Sequence, residues 1–121
     1  MAETIESRGP FEQFVLLAVT ELSVDGETPA HSFEVAKRCK AHLEDVDRDP
    51  FGGVERSEVT AALGSLADDG LLGKERTESA TGKGRPAYAL DVDPETVVDA
   101  VDDEAGVGPY AEQLRQRIQR R

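Results

Sequence analysis

Arg56, Ser57, Thr60, Ala61 and Gly64 lie on the stretch "VERSEVTAALGSLADDG" (54–70), where Val59, Ala62, Leu63 and Leu66 supply an apolar face at i, i+3, i+4 and i+7. On a helix that spacing buries the second set and turns the first set outward. The outward residue types suit contact with a DNA duplex. A guanidinium can hold guanine through two hydrogen bonds, hydroxyls reach base edges or phosphates, and an alanine methyl can meet that of thymine. A glycine at position 64 lets the helix come close to a backbone. The N–H groups at a helix start also favour phosphate. Glu58 stands on the same face and more often repels DNA than reads it.

A second stretch, "TGKGRPAYAL" (81–90), sets Lys83 and Arg85 on either side of Gly84. A cationic, glycine-containing hairpin tip enters a narrow groove without Cβ obstruction, and arginine suits a narrow, strongly negative minor groove. Lys74 and Arg76 alternate along the preceding strand and share one of its sides. Tyr88 and Leu90 are expected to point the other way, into the core.

A third set is His31, Cys39 and His42, with Cys39 and His42 three residues apart on one helix. They raise the alternative of a metal or thiol sensor. A structural zinc site takes about four ligands, more than this set offers. A redox sensor needs an exposed thiolate of low pKa, whereas Cys39 falls in an apolar stripe and reads better as a small buried hydrophobe. No Ser-His-Asp set, phosphate-loop glycine pattern or catalytic carboxylate pair is present. The expectation is a protein that is not an enzyme and holds no cofactor or metal.

These residues sit in a chain of 121 residues with 25 acidic and 14 basic side chains, a net charge of -11. That length fits one domain with a short appendage. Aromatic residues make up only 5% and tryptophan is absent, so the core must come from Val, Leu, Ala and four Phe. The lone cysteine excludes an internal disulfide and fits a reducing cytoplasm. The longest apolar run, "FVLLAV" (14–19), is too short to cross a bilayer. The acids are dispersed and alternate with apolar residues at helical spacing, so the chain is foldable. Dispersed acidity with few lysines is similar to that of proteins from salt-saturated cytoplasm.

The periodicity divides the chain as follows. Residues 1–9 are polar and expected to fray. Pro10 opens a helix over 10–23, with Phe14, Leu17, Ala18, Glu21 and Leu22 recurring at three- and four-residue spacing. "VDGE" (24–27) is a turn. Thr28 as N-cap and Pro29 at the first helical position predict a second helix over 28–43 that buries Val35, Ala36, Cys39 and Leu43. A loop, 44–53, precedes the third helix, which Gly70 stops. Strands follow at 71–78 and 85–90, with a turn at 79–84. Asp93-Pro94 opens a short helix to about Glu104, 105–109 breaks it, and 110–121 forms the last helix with Tyr110, Leu114 and Ile118 along one face.

Three helices, a hairpin and C-terminal helices make an α+β, mainly helical fold: a winged helix-turn-helix with a two-stranded wing. In that arrangement the third helix enters the major groove and the wing lies beside it. The expected organisation is a tail at 1–9, a DNA-binding domain at 10–91 and C-terminal dimerisation helices at 92–121.

Several stretches together resemble the PadR-like family of transcriptional regulators: "FVLLAV", "HSFEV" (31–35), "SEVTAALGSLADDGLL" (57–72) and "GRPAYAL" (84–90). The acidic cast suggests a haloarchaeal member. Thr60-Ala61 stands where the family carries an aromatic-proline pair, the loop before the third helix is longer, and the C-terminal portion is shorter. The resemblance implies a DNA-binding regulator of transcription; the residues expected at the DNA, from their places on the third helix and the wing, are Arg56, Ser57, Thr60, Ala61, Gly64, Lys74, Lys83, Gly84 and Arg85. Tyr110, Leu114 and Ile118 make a stripe too narrow to stand alone, and are expected at a homodimer interface. The partner expected is a pseudo-palindromic duplex operator with half-sites about one helical turn apart. Salt ions are expected between the acidic surface and the DNA. The rival class is a winged-helix module for protein–protein contact with an acidic interface.

Overall fold

A computed structural model of the chain describes Ile5 and residues 10–42, 56–77, 85–101 and 108–119. Helix α1 spans Pro10–Val24, α2 Ser32–Ala41 and α3 Arg56–Asp68; strands β1, Leu72–Thr77, and β2, Arg85–Leu90, follow; α4, Pro94–Ala100, and α5, Gly108–Gln119, close the chain. The stretches 43–55, 78–84, 102–107 and 120–121 lie outside the described residues, as do residues 1–9 apart from Ile5, so the expected burial of Leu43 falls outside them too.

Helix α1 is the axis of the molecule. Phe14 through Val19 are all fully buried, so this helix is covered on every side, as an apolar helix inside a core must be. It packs on α2, α3, α4, α5 and β2. Ile5 is fully buried in the same core, and its carbonyl accepts a hydrogen bond from Gln13 Nε2 at 3.2 Å. At that residue the expected frayed tail is instead an anchor, because a buried apolar side chain gains more than it loses in chain freedom.

Two helices end in the same way. Gly26 and Gly70 have φ of 75° and 83°, the left-handed region that glycine enters without a Cβ penalty. Glu27 N–H donates to Leu22 at 2.8 Å and Gly26 N–H to Ser23 at 3.1 Å; after α3, Leu71 N–H donates to Leu66 at 3.1 Å and Gly70 N–H to Ala67 at 3.0 Å. These paired bonds satisfy the last carbonyls and reverse the chain.

The second helix begins later than Thr28-Pro29 predicts. Its N-cap is His31, in extended backbone. Ala30 instead pairs with Tyr88: Ala30 N–H donates to Tyr88 O at 2.8 Å and Tyr88 N–H to Ala30 O at 2.7 Å. This long-range pairing claims both backbone groups of Ala30, and a residue before proline already disfavours helix. The expected short helix after Pro94 also stops earlier, at Ala100, with Val101 in extended backbone.

Helix α5 returns to the body. Tyr110 and Leu114 are fully buried within the chain, and Ile118 packs partly buried against the same cluster. The Tyr110 ring meets Phe14 edge-on at 5.8 Å and stacks on His42 at 4.2 Å. Tyr110 and Leu114 are therefore not presented to a second copy, contrary to the expected dimer interface. The core of their own chain offers the apolar cover that a narrow stripe requires.

One carboxylate ties this packing together. Glu21, only 6% exposed, accepts from Arg38 Nη1 at 3.0 Å, from His42 Nε2 at 3.0 Å and from Arg117 Nη1 at 2.7 Å. The Tyr110 hydroxyl donates to it at 3.1 Å. Asp25 also accepts from Arg38, at 2.9 Å, and from Arg117. Burial pushes the Asp25 carboxyl up, and Arg38 and Arg117 together outweigh it, leaving Asp25 below its ordinary value. That contribution to stability is present at neutral pH and is lost as pH falls through the lowered value.

Removing one partner from a buried ionic cluster strands the others. Glu21→Gln should cost about 3 kcal/mol in urea unfolding, within the range for a broken buried pair. The alkaline limb is set by neighbours of the same carboxylate. Burial, then the Glu21 charge, push the Cys39 thiol up to about 12 and the Tyr110 phenol above its ordinary value. A raised pKa contributes stability that is present below the unfolded value and lost as pH rises. Unfolding free energy should therefore be level to pH ~9 and fall above it. Tyr110→Phe should remove the phenol's share of that fall.

Candidate nucleic-acid interface

Helix α3 owes its orientation to its apolar side. Val59, Leu63 and Leu66 are fully buried and Ala62 nearly so. The side turned away carries Ser57, Thr60 and Ala61, all exposed, and Gly64, half-buried. Arg56 opens the helix; its side chain lies outside the described residues. A Cβ built at Gly64 meets nothing within 4 Å, so the outer side of the helix is open there.

The charges on α3 are sorted along its length. Hydroxyls and the arginine stand at the N-terminal end with one acid, Glu58, whereas Asp68 and Asp69 are exposed at the C-terminal end. The helix dipole adds partial positive charge at the N-terminus and negative charge at the C-terminus. Both effects make the first turns the end that tolerates an anion.

The wing is an antiparallel pair with Leu72 opposite Leu90, Lys74 opposite Tyr88 and Thr77 opposite Arg85. Residues directly opposite in such a ladder share a face. Lys74 and Tyr88 are therefore on the same side, which corrects the expectation that Tyr88 and Leu90 point away from Lys74. Lys74 is exposed while Tyr88 is buried, with Ala30 on its other edge. Burial raises the Tyr88 phenol above its ordinary value. Asp91 N–H donates to Leu71 O at 3.0 Å and closes the base of the hairpin. Lys83 and Gly84 lie outside the described residues. Arg85 has a place in the ladder, but its side chain is likewise outside them.

The structure separates His31, Cys39 and His42. His31 and His42 cap opposite ends of α2, a span of ~16 Å at 1.5 Å per residue. His31 stacks on Phe33, His42 binds Glu21, and Cys39 is fully buried between them. A thiol pushed up to about 12 by burial is not a reactive thiolate. Among the described residues no group of three His, Cys, Asp or Glu side chains could hold a metal ion, and no helix is long and apolar enough to cross a membrane. The Glu21 cluster is the feature that periodicity misses. Its one sequence signal is a glutamate inside an apolar stripe.

The architecture has a counterpart among solved structures. The Orc1 protein of Aeropyrum pernix, in complex with DNA, matches with a TM-score of 0.74 and 21% identity, over 88% of this chain and 27% of that one. The fold is winged-helix-like, and the chain spans about a quarter of that larger protein. No sequence-family model and no curated protein matches the chain.

Two glycines test this geometry by opposite signs. Gly64→Ala adds a methyl to open space inside a helix and should raise stability by ~0.5–1 kcal/mol. Gly70→Ala forces a side chain into the left-handed region and should lower it by ~1–2 kcal/mol. Thermal unfolding of the two variants reads both.

Proposed function

We propose that this protein binds duplex DNA through the N-terminal half of α3 and the wing. The observation that carries the reading is the outer side of α3: Ser57, Thr60 and Ala61 exposed, and Gly64 open to close approach. Arg56 supplies base contact from the first turn, and Lys74, Lys83, Gly84 and Arg85 supply the backbone or minor groove. The likeness to a protein solved on DNA supports the same partner. In its finer form the protein is a cytoplasmic transcriptional regulator of PadR-like type. It acts as a homodimer on a pseudo-palindromic operator, in a stress response, as the resemblance to the haloarchaeal oxidant-response regulator RosR suggests. A second reading draws on the length relation: the chain corresponds to about a quarter of an Orc1 protein and binds DNA as a single winged-helix-like module. The two part on the DNA site, which is two-fold symmetric for a dimeric regulator and asymmetric for a single module.

Selection of bound duplexes from a random pool, followed by fluorescence anisotropy, tests the reading. Arg56→Ala should cost about 1–3 kcal/mol on the selected site and relax one base position. Gly64→Ala should weaken binding while leaving the fold more stable. The acidic surface sets the salt dependence. A basic DNA binder loses affinity steeply, with a slope of about -0.9 per phosphate contacted. Here cations held between carboxylates and phosphate are taken up on binding, so the slope should be shallow or positive up to molar potassium chloride. Failure of every duplex to bind specifically would refute the assignment, and a steep slope would remove the acidic surface from it.

A further inference from the structure

The described cations divide by kind. The arginines whose side chains are described are all held by carboxylates: Arg38 by Glu21, Asp25 and Glu27, Arg115 by Asp99, and Arg117 by Glu21 and Asp25. Lys37, Lys40 and Lys74 are exposed and have no ion pair among the described residues. Lys74 lies on the wing. Lys37 and Lys40 stand on α2 and have no part in the proposed duplex interface.

Phe33, Lys37 and Lys40 recur at i, i+4 and i+7, so they form one line along the exposed side of α2. The line is about 10 Å long at 1.5 Å per residue. Phe33 is 45% exposed, and its ring stacks on His31 with centroids 6.0 Å apart and planes at 8°. Beside the line, against the end of α1, lies a groove of about 320 Å³ with Leu22 and Ala41 among its walls. An aromatic ring at the edge of a hollow, with cations along it, has the make-up of a protein interface, apolar at its centre and polar at its rim.

Charge and shape identify the occupant. Glu27 and Arg38, on the groove wall, hold each other at 2.8 Å. That leaves Lys37 and Lys40 against one carboxylate, Glu34, in a chain of net charge -11. A basic partner meets more carboxylates elsewhere on this surface. An acidic partner is repelled elsewhere and admitted here, so repulsion supplies the selectivity. A duplex is an acidic partner of the wrong form. It carries a charge every ~1.7 Å along its axis, and so presents phosphate to Glu34 as well as to the lysines. A polypeptide places its carboxylates singly. It can set one against each lysine, leave Glu34 to a backbone N–H, and send an apolar side chain into the groove beside Phe33.

We infer that the α2 groove docks an acidic segment of a different protein, with an apolar side chain of that segment against Phe33 and Leu22 and its carboxylates on Lys37 and Lys40. The inference goes beyond DNA binding and does not rest on it, because peptide binding is measured without DNA.

Selection from a random peptide library on the immobilised full chain, followed by fluorescence anisotropy of a selected peptide in solution, tests it. The selected peptides should combine an apolar residue with aspartate or glutamate. Phe33→Ser, Lys37→Glu and Lys40→Glu should each weaken binding of the selected peptide at least about tenfold, the weight of an apolar anchor or of a charge pair across an interface. Replacing the peptide's carboxylates by lysine, one at a time, should restore affinity for Lys37→Glu in one case and for Lys40→Glu in another, because each pair is then opposite in sign again. None of these changes to the protein should alter its affinity for duplex DNA. The substituted side chains are exposed, and circular dichroism of each variant controls for folding. A library that yields no peptide, or peptides without acidic bias, overturns the inference. A peptide indifferent to the three substitutions also overturns it. So does a duplex that loses as much affinity as the peptide, which would assign the lysines to DNA.

Discussion

The structure depends on a carboxylate buried where a leucine would ordinarily stand. Glu21 occupies a buried position on α1, and burying a lone charge there would be prohibitive. The chain meets that cost by bringing Arg38 and His42 from α2, and Tyr110 and Arg117 from α5, to one pair of oxygens. Two helices far apart in sequence are thereby fixed on the same turn of α1. A buried ionic cluster adds little net stability over a well-packed apolar one, but it tolerates few alternative arrangements.

On the proposed reading, electrostatics confines a duplex to one part of that frame. The acidic excess is spread over the surface, so a duplex is repelled by most orientations of approach. The first turns of α3 escape this because they carry hydroxyls, an arginine and the positive end of the helix dipole, whereas the far end of the helix carries Asp68 and Asp69. For a protein that binds DNA as proposed, repulsion elsewhere on an acidic surface leaves few productive encounters and favours approach by the cationic residues Lys83 and Arg85.

Much of this was legible in the sequence, for identifiable reasons. Val59, Ala62, Leu63 and Leu66 mark the inner side of α3 because helical periodicity is local, and Gly26 and Gly70 mark helix ends because only glycine takes their backbone cheaply. The outer positions Ser57, Thr60 and Ala61 follow from the same period. What escaped was long-range. Thr28-Pro29 has the composition of a helix start, but Ala30 is claimed by Tyr88 from across the molecule. The stripe on α5 announces that one side is buried without saying against what, and α1 rather than a second copy supplies the cover. The pairing of Lys74 with Tyr88 depends on ladder register, which no single strand reveals. Glu21 sits in an apolar stripe, yet its partners come from other helices.

The central claim is that this frame presents the N-terminal half of α3, with the wing, to a duplex. Titration of the isotope-labelled protein with a selected duplex, followed through its backbone amide resonances, tests it most directly. Shifts should concentrate at residues 56–64, at Lys74 and at 83–85, and should spare α5 and the α2 groove. Shifts centred on α5 or on Phe33, with residues 56–64 unmoved, would contradict it.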